Sequence, residues 1–83
     1  MKIVVGTNGF VWVAEEVVES DRWFTMTNAK IIRTWGTSKG LAELVNGPTK
    51  DTILDDNAAI VELAWHAVVW VMPCNHMAWK KNA

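Results

Sequence analysis

The chain has 83 residues, a formal net charge of −1 and a hydrophobic content of 51%. We expect one small domain, residues 1–83, whose stability margin is narrow and which gains from oligomerisation. The single cysteine, Cys74, excludes an intrachain disulfide, and the near-neutral charge disfavours nucleic acid as a partner. Residues 1–10 contain too short an aliphatic run for a signal peptide, and no apolar run reaches the roughly 20 residues of a membrane span. We therefore expect a cytoplasmic protein.

Six tryptophans are the most unusual feature of the composition, because a monomer of this size cannot easily bury six indoles. Tryptophan is enriched at protein interfaces, where it covers a large area and still offers an N–H group. We expect some of the indoles to lie at contacts between subunits or in a pocket, and hence a homo-oligomer. The alternative is that all six are core or half-exposed strand residues.

The first part of the chain predicts strands. Residues 2–5 are aliphatic and precede a turn signal, and residues 10–18 form a second strand that is apolar on both faces until it turns polar at Glu15. Residues 23–27 and 29–34 alternate as further strands. Asn28 tolerates turn geometry, so these last two strands are either joined or interrupted there.

The middle of the chain departs from the strand pattern. Residues 35–40, with the sequence Trp-Gly-Thr-Ser-Lys-Gly, form a polar segment that we call the elbow. Apolar residues at helical spacing follow, which predicts one short helix at about residues 39–46. Thr37 or Ser38 is expected to cap this helix, and Gly47 with Pro48 to end it. Residues 49–57 are expected to be an irregular or extended loop.

The last part of the chain predicts two strands and a tail. Residues 58–65 alternate, His66 and Ala67 break or bulge the pattern, residues 68–72 are continuously apolar, and residues 74–83 read as a tail. Five or six short strands with one inserted helix predict a mainly β fold. We expect a small, strongly bent antiparallel sheet or a partly open SH3-like or Sm-like barrel. The apolar strand 68–72 is expected to lie at an edge that a second subunit covers.

The segment from Asn28 to Asp55 resembles a family of uncharacterised small phage and prophage proteins. The shared pattern is N-A-x-x-I-R-x-W-G-T-T-x-G-L-x-x-L-x-x-x-G-P-T-x-x-T-x-L-D. In this chain Ser38 stands where a second threonine is common, and two residues instead of three separate Leu44 from Gly47. The matching residues here are Asn28, Ala29, Ile32, Arg33, Trp35, Gly36, Thr37, Gly40, Leu41, Leu44, Gly47, Pro48, Thr49, Thr52, Leu54 and Asp55. The resemblance implies a phage context, and hence the cytoplasm of a host cell, but no activity.

A weaker resemblance is to the first motif of Sm-type proteins. Gly9, the apolar run through Val18, Asp21 and Asn28 stand at roughly the intervals of that motif, and Ala14 replaces the glycine that bends the strand in such folds. This is an analogy of fold only.

The elbow and its surroundings are the best candidate for a ligand-binding site. Glycines permit close approach of the backbone, hydroxyls donate, cations neutralise an anion, and an indole stacks on a base. The predicted ligand-binding residues are Arg33, Trp35, Gly36, Thr37, Ser38, Lys39, Gly40 and Thr49. The Walker spacing for nucleotide phosphates is absent. The alternative is an ordinary strand-to-helix turn.

Metal binding and catalysis have weaker support. Cys74, His66 and His76 lack the paired spacing of a metal site, and nothing in the sequence orients a base toward the thiol. The acids Asp51, Asp55 and Asp56 are able to ligate a hard cation, but a solvated loop explains them as well. We therefore predict no catalytic residues, no metal and no cofactor.

The leading hypothesis is a non-enzymatic, oligomeric phage protein that sequesters a small anionic, nucleotide-like ligand of host defence signalling. A second hypothesis is an inhibitor of a host or phage machine that acts through an exposed Trp/Met surface, including Trp79. A third is Sm-like RNA binding, which the charge balance disfavours.

Overall fold

The structure of the protein is a computed structural model, which describes residues 1–82. Seven strands, two 3₁₀-helices and one α-helix follow one another along the described residues. Their bounds are β1 Lys2–Gly6, β2 Val11–Ala14, β3 Glu16–Glu19, β4 Trp23–Thr34, η1 Leu41–Asn46, β5 Ile53–Leu54, β6 Ala59–Ala64, η2 Trp65–Ala67, β7 Val68–Pro73 and α1 His76–Asn82. Residues 10–18, predicted as one strand, are divided at Glu15 into β2 and β3.

All the strands belong to one antiparallel sheet in the order β3-β4-β2-β1-β7. Strands β5 and β6 lie outside this order, and both of them pair with β4. The sheet curls strongly and forms a half-barrel, which confirms the predicted mainly β, bent or partly open architecture. The 12-residue strand β4 is its centre. One edge of β4 pairs with β2 and β3, and the other pairs with β5 and β6.

Asn28 bends β4, and this bend allows the one strand to pair with partners in both halves of the sheet. Its φ of 49° makes it a non-glycine residue with positive φ, a conformation that asparagine tolerates better than most residues. The register between β4 and β6 shifts between Met26 and Ala29, which is the signature of a β-bulge. The residues before and after Asn28 therefore form one bent strand, which decides between the two possibilities left open by the sequence.

The half-barrel has a hydrophobic cluster on each side of its central strands. One cluster consists of Val4, Trp12, Ala14, Phe24, Met26 and Ala29. The other contains Ile3, Val11, Val13, Ile32, Leu41, Leu44 and Trp79. All four residues of β2 are buried, as expected for a strand that is covered on both faces, whereas β3 is mostly exposed.

The inserted helix occurs close to its predicted position, as the 3₁₀-helix η1. Its cap prediction is wrong: neither Thr37 nor Ser38 caps it, because Gly40 is the N-cap and makes no side-chain cap hydrogen bond. Instead, a Glu43 carboxylate oxygen accepts a hydrogen bond from the backbone N–H of Lys39 at 3.2 Å. Gly47 ends the helix at a φ of 119°, as expected.

The prediction of a tail at residues 74–83 is wrong over the part of it that the structure describes. Residues His76–Asn82 form α1, which places Trp79 in the core with no exposed surface. Its indole Nε1–H donates to the Leu44 carbonyl at 2.8 Å and so joins α1 to η1. Trp79 is therefore a core residue, and its assignment to an exposed interaction surface was also wrong.

The corner between β6 and β7 is the short helix η2, at the break predicted for residues 66–67. The Trp65 indole donates to the Ser20 carbonyl at 2.8 Å and packs edge-on against Phe24, with ring centroids 5.4 Å apart. This corner ties the end of the sheet to the β3–β4 turn. Strand β7 then pairs with β1 and, as predicted, lies at an edge of the sheet.

Candidate functional site

A cleft opens where strands β2 and β4 diverge. Their pairing consists of Trp12 with Ile31 and Val13 with Lys30, and it does not extend to the start of β2. The cleft beyond this pairing has a volume of about 380 Å³. Its lining residues are Gly9, Phe10, Val11, Ile31, Ile32, Arg33, Trp35 and Asp55, and we call it the aromatic cleft.

Two aromatic side chains are partly exposed in the lining of the aromatic cleft. Phe10 is 51% exposed and Trp35 is 42% exposed. Phe10 packs edge-on against Trp12, which is itself in the core, with ring centroids 6.0 Å apart. The Phe10 ring is thus supported by the core, and both rings offer free surface, as stacking on a planar ligand requires.

Arg33 and Asp55 supply the charges of the aromatic cleft. The Arg33 Nε lies 3.4 Å from an Asp55 carboxylate oxygen, and the Arg33 side chain is 69% exposed. The backbone N–H of Asp55 donates to the Ile31 carbonyl at 2.9 Å, which fixes the position of the acid. Exposed ion pairs of this kind contribute little to stability, so the guanidinium is free to exchange its partner for an anionic ligand.

The elbow is held in place by two threonines that follow the helix η1. The Thr49 hydroxyl donates to the Gly36 carbonyl at 2.6 Å, and the Thr52 hydroxyl donates to the Trp35 carbonyl at 2.7 Å. The backbone N–H of Thr49 in turn donates to the Thr52 hydroxyl at 2.8 Å. These contacts give the W-G and T-x-x-T parts of the central sequence pattern a structural role.

Residues 49–52 form a turn that packs closely against Gly36. Its φ is 67°, and a Cβ atom at this position would lie 2.3 Å from the Asp51 carbonyl carbon. The close approach expected at this glycine is therefore made by the chain's own backbone. Gly40 has a φ of 100° but open space around it, so only its backbone conformation requires glycine.

The structure divides the predicted site residues into three groups. Arg33 and Trp35 line the aromatic cleft together with Phe10. Gly36 and Thr49 hold the elbow in place behind it. The remaining four lie outside the cleft lining: Thr37, Ser38, Lys39 and Gly40.

Sequence reasoning missed Phe10 and Asp55 as residues of the cleft. Phe10 was assigned to a strand, and Asp55 was considered only with other acids of its loop. The pairing of β4 with β5, through Ile32 with Leu54 and Thr34 with Ile53, places the acid beside Arg33. The match of Asp55 to the family pattern was the only signal for it in the sequence.

The candidates for metal binding and nucleophilic chemistry do not come together. Among the described residues, no group of three or more His, Cys, Asp and Glu side chains has the geometry to hold a metal ion. Cys74 is half-buried, and this burial raises the pKa of its thiol. The thiol is therefore in its less reactive, protonated form at neutral pH.

Comparison of the chain with protein-family models, with curated proteins and with solved structures gave no match. The resemblance to small phage proteins thus stays a prediction from the sequence pattern. Among the described residues, no helix is long and apolar enough to cross a membrane.

Proposed function

We propose that the protein is a non-enzymatic binding protein that holds a small, planar, anionic ligand of the nucleotide class in the aromatic cleft. The observation that carries this proposal is the presence of two partly exposed aromatic rings and an exposed guanidinium in one cleft of about 380 Å³. Stacking of a base on aromatic rings contributes about 1–3 kcal/mol per base. A guanidinium recognises phosphate through charged hydrogen bonds.

Each part of such a ligand has a matching group in the cleft. The base would lie against Trp35 and Phe10, and the phosphate would replace the Asp55 carboxylate as the partner of Arg33. Asp55 would then be free to accept hydrogen bonds from amino groups of the base. In a phage context, the ligand would be a nucleotide messenger of host defence that the protein sequesters. This part of the proposal depends on the resemblance to phage proteins.

Isothermal titration calorimetry with a panel of linear and cyclic nucleotides tests the proposal. We expect at least one member to bind, and Trp35→Ala to weaken its binding by about tenfold, which corresponds to about 1.4 kcal/mol. Trp23→Ala is the matched control, since Trp23 is similarly exposed, at 45%, but does not line the cleft. Absence of binding by every member of the panel would overturn the proposal.

Variants that each remove one cation distinguish binding in the aromatic cleft from binding elsewhere on the elbow. Arg33→Ala is expected to weaken binding strongly, whereas Lys39→Ala is expected to change it little, because Lys39 lies outside the cleft lining. Arg22→Ala removes the same charge from the β3–β4 turn, at the other end of β4. If all three variants weaken binding equally, general electrostatic attraction explains it and the cleft does not.

A further inference from the structure

The outward face of strands β3, β4 and β6 is an open sheet surface. Phe24 and Met26 of β4 are buried in the core, so the residues that alternate with them face outward. The cross-strand partners Val18 with Thr25, and Thr25 with Glu62, therefore form a row across all three strands. The six residues that define this surface, which we call the acidic face, are Glu16, Val18, Trp23, Thr25, Ile60 and Glu62.

Besides its glutamates, the acidic face carries three exposed apolar side chains. Val18 is 57% exposed, Trp23 is 45% exposed and Ile60 is 72% exposed. Ile60 stands in β6 opposite the bulge at Asn28, where the bend of the sheet presents it to solvent. These three apolar side chains surround the polar pair Thr25 and Glu62 on the same face. Exposed apolar surface that is interleaved with polar residues in this way is able to take part in an interaction site.

The charges of this face have one sign. Glu16 and Glu62 lie on it, Glu19 and Asp21 lie in the adjoining strand end and turn, and neither β3, nor β6, nor residues 23–27 of β4 contain a lysine or arginine. Two cations adjoin the face, namely Arg22 in the β3–β4 turn and Lys2, which lines a cavity with Val18 and Glu19. The four acids outnumber them, so the neighbourhood keeps a negative charge. We propose that the acidic face docks a cationic, amphipathic polypeptide segment of another protein, whose apolar side covers Trp23 and Ile60 and whose lysines or arginines meet Glu16 and Glu62.

The same charges disfavour the other occupants of such a surface. A second copy of this chain, packed face to face, would bring glutamates against glutamates, and juxtaposed like charges cost binding energy. Nucleic acid and anionic lipid surfaces both attract basic patches and are repelled by acidic ones. A cationic protein segment is the partner that satisfies both the charge and the apolar area.

Nuclear magnetic resonance of the full chain provides the test. The probe is a short synthetic amphipathic helix of leucine and lysine, and its counterpart carries glutamate in place of lysine. We expect the lysine peptide to shift the backbone amide signals of Val18, Thr25, Ile60 and Glu62, and the glutamate peptide to leave them unchanged. Signals from the aromatic cleft are expected to stay in place, so this result is independent of the proposed ligand function.

Variants make the test specific. Glu62→Lys is expected to weaken binding of the lysine peptide by about tenfold, while Asp56→Lys, which makes the same charge change in an exposed loop, is expected to weaken it by less than about threefold. Trp23→Thr, which suits a strand, is expected to weaken binding and to leave the amide spectrum of the core unchanged. Equal effects of Glu62→Lys and Asp56→Lys, or shifts that map elsewhere, would overturn the proposal. So would sedimentation analysis that shows a dimer broken by Trp23→Thr.

Discussion

At the residue scale, the hydroxyls of Thr49 and Thr52 decide where Trp35 lies. Each donates to a carbonyl of the elbow, and together they connect two segments that the helix η1 separates. The Thr49 contact with the Gly36 carbonyl and the contact of the Thr49 N–H with the Thr52 hydroxyl are part-buried, so removing either hydroxyl leaves a partly desolvated polar group without a partner. The aromatic cleft therefore depends on residues that do not line it.

Thr52→Val is expected to lower the free energy of unfolding by about 1–2 kcal/mol, because the part-buried N–H of Thr49 loses its acceptor and the Trp35 carbonyl loses its donor. Urea denaturation followed by circular dichroism measures the change. Thr37→Val is the control, since it makes the same substitution in the elbow, where no side-chain hydrogen bond of Thr37 occurs within the described residues. A neutral Thr52→Val would show that the hydroxyl contacts do not hold the elbow.

Gly36→Ala and Gly40→Ala form a second pair of variants. Both residues have positive φ, so both substitutions cost backbone strain of about 1–3 kcal/mol. Only Gly36 also meets backbone atoms of the 49–52 turn, so Gly36→Ala is expected to destabilise the fold by about 2 kcal/mol more than Gly40→Ala. Thermal unfolding of the two variants measures this difference, and equal melting temperatures would contradict it.

At the element scale, the helix α1 is part of the core. Trp79 fills the space between the sheet and η1, and its indole N–H satisfies the Leu44 carbonyl. A Cβ atom on Gly47 would lie 2.8 Å from the Ala78 Cβ, so the end of η1 and α1 also pack closely. This small helix thereby shields a cluster that β1, β2 and β4 leave open.

Trp79→Phe is expected to lower the free energy of unfolding by about 1–3 kcal/mol, because it leaves the Leu44 carbonyl without a donor and creates a small cavity. Chemical denaturation with near-ultraviolet circular dichroism measures it. Trp70→Phe is the matched control at a side chain that is 50% exposed, and it is expected to be nearly neutral.

The stabilisation from the ion pair between Lys80 of α1 and Glu15, which lies between β2 and β3, is expected to depend on pH. The Lys80 Nζ lies 2.8 Å from a Glu15 carboxylate oxygen, and Asn28 also donates to this carboxylate. Hydrogen bonds from Lys80 and Asn28 and the charge of Lys80 hold the pKa of Glu15 below its ordinary value. Because the folded-state pKa is lowered, the stabilisation is present above the unfolded pKa of about 4.3 and is lost as the pH falls through the folded value.

Glu15→Gln is therefore expected to be less stable than the parent protein at neutral pH, with the difference shrinking as the pH falls below about 4. Denaturation curves across this range measure the difference. Glu19→Gln is the control, because it makes the same substitution at the exposed end of β3. A difference that persists unchanged at low pH would assign the effect of Glu15→Gln to something other than charge.

At the scale of the whole molecule, the sequence predicted the sheet well because alternation and turn residues are local signals. The burial of β2 on both faces followed from its continuous apolar pattern, and the positions of η1 and η2 followed from breaks in the strand pattern. The aromatic cleft could not be predicted from the sequence, because it forms where β2 and β4 diverge. That point depends on pairing between residues that are distant in sequence. The helix α1 was missed because Trp79 is its only buried position among residues 76–80, so the segment lacks an apolar stripe.

Oligomerisation stays a proposal, and the structure gives it a definite test. Four tryptophans are partly exposed, and Trp70 lies with the exposed Val69 on the edge strand β7. The register shift beside Val69 and the missing N–H of Pro73 leave only a short stretch of this edge free to pair. Trp70→Lys is expected to convert an oligomer to a monomer in sedimentation experiments, and a parent protein that is monomeric at every concentration would contradict the proposal.

The pairing of β1 with β7 has a consequence for the order in which the protein is made. The carbonyl of Met1 accepts a hydrogen bond from the backbone N–H of Cys74, so β1 finds its second neighbour in the sheet only after more than sixty further residues of the chain have been made. Trp79, which completes the core, emerges later still. The apolar strands made earlier therefore stay partly uncovered until β7 and Trp79 have been made, and pairing across so large a sequence separation is expected to make folding slow.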